Sequence, residues 1–289
     1  MVAERGSPQR PSEARTRPSA EAAAQALLSG GGTDYSLRAI PAGGQNQLYR
    51  LRVGERVYSL RFPPETRRRH QLQFEVRLRC FLEARGFSLP PLVQLHGTYL
   101  PSERGLSFLL SEWIEGESLA LPQALQFLPR ALSLLRSFHC AMDEFDAPFR
   151  PVNESRTFRQ ALTGYENFLE TRGRSKEARS LQQRVESWFA EEEQWSLPTG
   201  VVHGDPHPSN FLSVADGKIF LIDYDSTHVS YRLGDWVLLA LGFYLEAKRP
   251  LNWTAWRAFA QQELGEVLTP AEQRALPTAL SILLLKRVV

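Results

Sequence analysis

The chain has 289 residues, of which 43% are hydrophobic and 23% are charged, and its formal net charge is +2 at pH 7. This length and composition are those of a soluble globular protein with one large or two ordinary domains. The small net charge gives no support for nucleic-acid binding, and no apolar run approaches the roughly 20 residues that span a bilayer.

The N-terminal segment, residues 1–32, is rich in Pro, Ser, Ala, Arg and Gly. Such a composition buries little apolar surface, so we predict a mostly disordered leader. Ala20 to Leu28 is compatible with a short helix that has Ser19 as its N-cap and ends at the following glycines. The segment has neither the apolar core of a signal peptide nor the acid-poor composition of a transit peptide.

Three segments alternate apolar and polar residues and are predicted as strands: Tyr35–Ile40, Gln47–Val53 and Arg56–Phe62. The link between the first two contains Gly43 and Gly44. A glycine-rich link between antiparallel strands lets backbone N–H groups approach phosphates closely, although a plain turn is the commoner reason for such a pair.

A helix is predicted over Gln71–Arg85, followed by two more strands over Leu92–Leu100 and Leu106–Glu112. Five arginines surround this helix, and we predict that they form a solvated face, with recruitment of an anionic partner as the alternative: Arg67, Arg68, Arg69, Arg77 and Arg79. Beyond Gly116 the pattern is mainly helical. The predicted helices are Pro129–Met142, Phe158–Glu170, Ser175–Glu191, Asp235–Leu245, Trp253–Glu263 and Ala271–Lys286.

The most informative stretch runs from Val201 to Asp225. Two apolar runs in it are predicted as short buried strands, and a polar loop with Gly204 lies between them. The loop presents Asp205 and Asn210, and the second run ends in Asp223. Two carboxylates and one amide are therefore predicted to converge from a hairpin-like support. Phosphoryl transfer needs such a set, because an acid must orient the attacking hydroxyl and oxygen ligands must hold magnesium against the phosphates.

The segment His203-Gly204-Asp205-Pro206-His207-Pro208-Ser209-Asn210, followed by Ile222-Asp223, resembles the catalytic and metal-binding motifs of the aminoglycoside phosphotransferase and choline kinase superfamily, which is related to the protein kinases. The resemblance implies an α+β, bilobal, protein-kinase-like fold. Its small N-lobe, an antiparallel sheet plus one helix, would span residues 33–112, and its larger, mainly helical C-lobe residues 113–289. It implies that Asp205 is the catalytic base, that Asn210 and Asp223 bind Mg²⁺, and that ATP is the co-substrate.

The same resemblance assigns the nucleotide-binding residues. The link with Gly43, Gly44 and Asn46 resembles the nucleotide loop of choline-kinase-like enzymes. Arg61 stands where protein kinases place a phosphate-binding Lys, and Glu75 is its implied partner, with Glu83 as the competing candidate. The hinge between the lobes would read adenine through its backbone, at Glu112 and at Trp113 or Ile114.

The acceptor is predicted to be a small-molecule alcohol. The local match favours an amino alcohol such as choline or ethanolamine, or thiamine. Candidate acceptor-binding residues are His207, Asp225, Tyr231 and Trp236, with Tyr165, Trp188 and Trp195 as further aromatic candidates. The resemblance gives His203, His139 and Asp235 structural roles beneath the site.

Three alternatives stay open on the sequence alone: an aminoglycoside-type or other alcohol phosphotransferase, a nucleotide-binding pseudokinase scaffold, and a metal-dependent hydrolase that uses His203, Asp205 and His207 as ligands. Cys80 and Cys140 lie in apolar helical patterns, which predicts small core residues, reduced thiols and a cytoplasmic location. The sequence does not give the oligomeric state.

Overall fold

The computed structural model describes residues 12–28, 34–41, 45–146, 196–250 and 252–288, together with short stretches between 171 and 187. The chain divides into two compact units, Met1–Gly116 and Glu117–Val289. The boundary predicted from the sequence lies after Glu112, whereas the residues predicted as a hinge belong to the first unit. The α+β class predicted from the sequence is confirmed, since the first unit carries the main sheet and the second is mainly helical.

The first unit is built on a four-stranded antiparallel sheet in the order β1-β2-β3-β6. The strands are β1 (Tyr35–Ile40), β2 (Gln47–Val53), β3 (Arg56–Phe62) and β6 (Leu109–Glu112). The first three have the predicted bounds, because their side chains alternate with period two: β2 and β3 bury alternate residues, and β1 alternates half-buried with exposed residues up to Ala39. In β3, Arg61 pairs with Leu48 on one side and with Leu109 on the other, so it lies in an interior strand.

The predicted strand over Leu92–Leu100 is wrong. This segment makes only isolated bridges, Leu92 with Ser111 and Leu95 with Thr98. His96 and Gly97 both have positive φ, which turns the chain where a strand would continue. The strand predicted over Leu106–Glu112 is also divided, into β5 (Leu106–Ser107), which pairs with β4 (Ser102–Glu103), and β6.

The prediction of a mostly disordered leader is wrong for its described residues, 12–28, because helix α1 (Glu13–Leu27) packs on the sheet of the first unit. Its buried face consists of small residues at helical spacing: Thr16, Ser19, Ala20, Ala23 and Ala24. The hydroxyls of Thr16 and Tyr49 share a hydrogen bond of 2.8 Å, and Ser19 Oγ donates to Glu103 O at 3.0 Å. A stripe of small side chains lets the helix lie close to the strands. The second helix of this unit, α2, spans Arg69–Glu83.

The second unit contains α3 (Leu128–Met142), α4 (Arg232–Glu246), α5 (Trp253–Leu264) and α6 (Pro270–Val288). Strand β8 (Thr199–Val202) pairs with β11 (His228–Tyr231), and a separate sheet has the order β10-β9-β7, formed by Ile219–Leu221, Phe211–Ser213 and Glu117–Ser118. The predicted hairpin-like support is therefore two separate strand pairs. The predicted helix Phe158–Glu170 and most of Ser175–Glu191 lie outside the described residues.

Both cysteines are free thiols. Cys80 is half-buried, and burial raises its pKa. Cys140 is exposed, so the prediction that it is a core residue is wrong; it lies on the side of α3 opposite to the buried Leu135, Phe138 and Met142. None of the described helices combines the length and apolarity that crossing a bilayer requires. The cytoplasmic location stays a prediction.

Candidate active site

Asp205 lies in the loop that joins β8 to β9, and Asn210 holds it in place. A turn of 3-10 helix over Pro208–Asn210 ends this loop. The amide Nδ2 of Asn210 donates to the backbone carbonyl of Asp205 at 2.8 Å and to its carboxylate Oδ2 at 3.2 Å. Because these bonds engage the nitrogen of the amide, its oxygen is the atom through which Asn210 would bind the predicted cation.

Asp223 lies one residue after the end of β10, at the same end of the strand pair as Asn210. The register pairs Leu221 with Phe211, and Ile222 N–H donates to Asn210 O at 2.9 Å. Asp223 itself has φ 60° and ψ 76°, in the left-handed region that Asp tolerates better than most residues. The structure therefore places the backbones of the two predicted metal ligands next to each other, through the hydrogen bond of Ile222.

Gly204 brings the loop of Asp205 against the segment that follows Asp223. Its φ is +83°, and a Cβ atom at this position would lie 2.3 Å from the backbone oxygen of Ser226. No side chain fits in that space, so a glycine is required by both conformation and contact. The two functional loops thus pack backbone to backbone.

A buried carboxylate supports both loops from below. Asp235, in the first turn of α4, accepts hydrogen bonds from His203 N at 2.7 Å, Gly204 N at 2.9 Å and His139 Nε2 at 2.8 Å. His203 Nε2 in turn donates to Ile222 O at 3.1 Å. This network joins the residues just before Asp205 to the residue just before Asp223.

The charge of Asp235 is stabilised by its partners. Burial by itself would raise the pKa of this carboxyl, but the hydrogen bond from His139, the neighbouring imidazoles of His139 and His203, and the Gly204 N–H outweigh it and lower the pKa. Asp235 therefore stays ionised and keeps accepting its three hydrogen bonds over the ordinary pH range.

Replacing Asp235 by Ala is expected to lower the free energy of unfolding by about 3–5 kcal/mol, because it strands buried donors in the folded state. A carboxyl with a lowered pKa stabilises the fold fully above its unfolded pKa, about 3.9, and progressively less as the pH falls through its folded pKa. The difference in the free energy of unfolding between wild type and variant, called the gap below, should therefore be complete above about pH 4 and should shrink below it.

Chemical denaturation followed by tryptophan fluorescence from pH 3 to pH 8 measures this gap. Glu266→Ala, at an exposed position between α5 and α6, is the control and should change little. A gap that is absent, or that does not change with pH, would contradict the role given to the ionised carboxylate.

The donor set at the two loops fits a hard divalent cation. One amide oxygen from Asn210 and one carboxylate from Asp223 are the oxygen ligands that Mg²⁺ prefers, and Mg²⁺ takes its remaining ligands from phosphates and water. The zinc-type alternative is not supported: His203 is buried with its Nε2 on Ile222 O, and His207 Nδ1 accepts from Ser209 N at 3.3 Å. Within the described residues, no group of three or more His, Cys, Asp or Glu side chains is arranged to hold a metal ion.

In the first unit, Glu75 is the centre of a cluster of three arginines. Arg61 donates a hydrogen bond to Glu75 Oε1, Arg67 Nη2 lies 3.0 Å from Oε2, and Arg79 Nη1 lies 3.8 Å from Oε1. Glu83 is exposed, so the carboxylate that pairs with Arg61 is that of Glu75. The prediction of a solvated arginine face fits Arg68, Arg69 and Arg77, which are exposed, but it is wrong for Arg67 and Arg79.

Of the two backbone N–H groups predicted to bind adenine, one already has a hydrogen-bond partner within the protein. Trp113 N–H donates to Val57 O at 3.0 Å, which extends the pairing of β3 and β6, so it is already engaged. Ile114 N–H and the Glu112 carbonyl stay as the predicted contacts. Asn46 is half-buried just before β2, whereas Gly43 and Gly44 lie outside the described residues.

The predicted acceptor residues have different environments. Trp236 is only 4% exposed and packs edge-on against His139 at 4.9 Å, so it belongs to the core under the loops and not to a pocket wall. Asp225 and Tyr231 are half-exposed. The aromatic candidates Tyr165, Trp188 and Trp195 lie outside the described residues.

Two residues of α4 that lie near this loop were not predicted from the sequence. A Cβ atom at Gly242 would lie 2.5 Å from Pro208 Cδ, so this glycine lets the helix approach the loop that carries Asp205. One turn later, Glu246 Oε1 lies 3.9 Å from His207 Nε2. A glycine inside a predicted helix is a sequence signal for such a close approach.

Comparison of the sequence with known proteins gives a match to a family model and a match to a single relative. The model of the phosphotransferase enzyme family matches residues 36–275. A homoserine kinase of Rhizobium etli is 30% identical over 201 residues, which are 67% of this chain and 60% of that enzyme, so the matched stretch spans less than two thirds of the relative.

Solved structures share the fold at low identity. A microcompartment-associated aminopropanol kinase superposes with a TM-score of 0.62 at 17% identity, over 91% of this chain and 86% of that one. The amicoumacin kinase hAmiN, solved in complex with AMP-PNP, Ca²⁺ and Ami, superposes with a TM-score of 0.60 at 14% identity, over 87% and 81% of the two chains.

Proposed function

Since the chain belongs to the phosphotransferase enzyme family, we propose that it transfers the γ-phosphoryl group of ATP to a hydroxyl group of a small molecule. The observation that carries this proposal is the joint placement of Asp205, Asn210 and Asp223. Asn210 orients the Asp205 carboxylate through its Nδ2, and Ile222 connects it to Asp223.

In the proposed reaction, a new bond forms between the acceptor oxygen and the γ-phosphorus, and the bond from that phosphorus to the β,γ-bridging oxygen breaks. Asp205 accepts the proton of the attacking hydroxyl, and ADP leaves. Asn210 and Asp223 would hold Mg²⁺, which when bound neutralises charge on the phosphate oxygens. Arg61, fixed by Glu75, would contact the non-transferred phosphates.

We propose an amino alcohol as the acceptor. The relative that is 30% identical is a homoserine kinase, and the structural neighbour described above is an aminopropanol kinase. A cationic amine requires an anion beside the catalytic loop, and Glu246 and Asp225 are the candidates that the described residues offer. Choline, ethanolamine and thiamine, which the resemblance in sequence favours, belong in the same panel of acceptors.

Two measurements test the proposed function. Thermal shifts with ATP should require Mg²⁺, and a coupled ADP-release assay over a panel of alcohols should find turnover with at least one amino alcohol, including homoserine, aminopropanol, ethanolamine and choline. Turnover only with aminoglycosides would favour that type of acceptor. Nucleotide binding without turnover on any alcohol would favour a scaffold, and a zinc-dependent shift without a nucleotide effect would favour a hydrolase.

A further inference from the structure

We propose that Arg67 is a second phosphate-binding cation, which acts together with Arg61 on the polyphosphate of the nucleotide. This inference rests on the proposed function, because it assigns a further residue to the same nucleotide site. The family resemblance implies one phosphate-binding cation here, Arg61 on the third strand. The sequence by itself predicts that Arg67 lies on a solvated face.

The contacts of Glu75 bring the two guanidinium groups together. Arg61 donates to Oε1 and Arg67 to Oε2 at 3.0 Å, so one carboxylate orients both cations. The Glu75 side chain is only 1% exposed, and those of Arg61 and Arg67 are 12% and 11% exposed. A shared buried partner holds both guanidinium groups against one carboxylate, and the planar guanidinium group is suited to bidentate binding of phosphate.

Arg67 reaches Glu75 from a short, constrained turn between β3 and α2. This turn begins with Pro63 and Pro64, and Arg67 N–H donates to Pro64 O at 2.9 Å. Proline fixes φ and restricts the preceding residue, so the backbone that presents Arg67 has few alternative conformations. The neighbouring Glu65 forms an ion pair with Arg15 of α1, which attaches the turn to the N-terminal helix.

The charge of the cluster favours an anionic ligand. One carboxylate and three guanidinium groups give the four side chains a net charge of +2. Burial would raise the pKa of Glu75, but the charges of Arg61, Arg67 and Arg79 outweigh it and lower the pKa, so the carboxylate stays ionised. A polyphosphate is the ligand class that complements two guanidinium groups held by one carboxylate.

Arg79 has a different position in the cluster. Its Nη2 donates to Pro90 O at 2.7 Å and to Ser111 Oγ at 2.8 Å, which connects α2 to the segment at Pro90 and to β6. Its contact with Glu75 is also the longest of the three. We therefore assign Arg79 to the fold of the first unit and Arg67 to the ligand.

The test is the dependence of affinity on the number of phosphates. For Arg67→Gln, calorimetric titration should show a loss of about tenfold or more for ATP, a smaller loss for ADP, and no change for adenosine. Inorganic tripolyphosphate should compete with ATP on the wild type and about tenfold more weakly on the variant. Arg67→Lys should recover part of the affinity, because it restores the charge without the fork.

The matched control is Arg68→Gln, which removes the same charge one position later from an exposed side chain. It should leave all affinities close to those of the wild type. Equal losses for adenosine and ATP in Arg67→Gln would show a purely structural role, and unchanged ATP affinity would show no role; either result overturns the inference.

If Arg67→Gln does not fold, as judged by circular dichroism, the Arg67→Lys variant decides by the same criterion, since its loss of affinity must also be confined to phosphate-bearing ligands. A wild-type protein that binds no ATP would instead refute the proposed function.

Discussion

The variant Asp205→Asn is expected to lose about 10³-fold in kcat while its affinity for Mg²⁺·ATP stays close to that of the wild type. The amide has the shape of the carboxylate but cannot accept the proton of the attacking hydroxyl. Asp205 is half-buried, and its Oδ2 accepts a hydrogen bond from Asn210 Nδ2. The amide that replaces the carboxylate keeps one oxygen, which can accept the same hydrogen bond. The loop is therefore expected to keep its conformation, so that the loss falls on the chemical step.

Steady-state kinetics with the best acceptor of the panel, together with a nucleotide titration, separate the two effects. The control is Asp216→Asn, because Asp216 is an exposed carboxylate in the turn between β9 and β10 that accepts from Lys218 N at 2.9 Å. Turnover of Asp205→Asn within a few-fold of the wild type, or a loss carried entirely by nucleotide affinity, would show that Asp205 is not the base.

The variant Asp223→Asn is expected to lose at least about 10³-fold in turnover and, unlike Asp205→Asn, to weaken Mg²⁺-dependent nucleotide binding as well. The substitution removes the one carboxylate that the proposal assigns to the cation. Asn is among the residues that adopt the left-handed conformation most readily, so the backbone at φ 60° should be retained. The two substitutions thus differ in the step that they affect.

A magnesium titration at fixed ATP measures this difference. The Mg²⁺ concentration that gives half-maximal binding should rise strongly for Asp223→Asn and remain unchanged for Asp205→Asn. Asp225→Asn, two positions later on the 3-10 turn, serves as a neighbouring comparison and should leave the Mg²⁺ requirement intact. An Asp223→Asn variant with a normal Mg²⁺ requirement would remove Asp223 from the metal site.

The positions of the candidate site residues are predictable in part because these residues lie at the ends of short apolar strands. The alternation in β1, β2 and β3 is regular enough to give their bounds, and the motif around Asp205 is local in sequence. Asp223 is separated from Asn210 only by the pair β9–β10, whereas the predicted hairpin joins the runs that contain Val202 and Leu221. The two residues are therefore brought together by a different pairing from the predicted one. The pairing of β8 with β11 joins two strands that are distant in the chain, and no local pattern in the sequence indicates it.

The features that sequence reasoning missed depend on contacts that are distant in the chain. Helix α1 packs through Ala20, Ala23 and Ala24, and alanines give a weak hydrophobic signal even when they are fully buried. The sequence does not distinguish Arg67 from its exposed arginine neighbours, because only the folded chain brings Glu75 beside it. The segment Leu92–Leu100 has a strand-like composition, but the positive φ of His96 is a tertiary outcome.

The central claim is that Asn210 and Asp223 hold a divalent cation together with the nucleotide. Electron paramagnetic resonance of Mn²⁺, titrated into the wild-type protein with and without AMP-PNP, tests it most directly. We predict that protein-bound Mn²⁺ appears only with AMP-PNP and disappears in the double variant Asn210→Ala, Asp223→Asn. Bound Mn²⁺ of equal amount in the double variant, or no bound Mn²⁺ in the wild type, would contradict the claim.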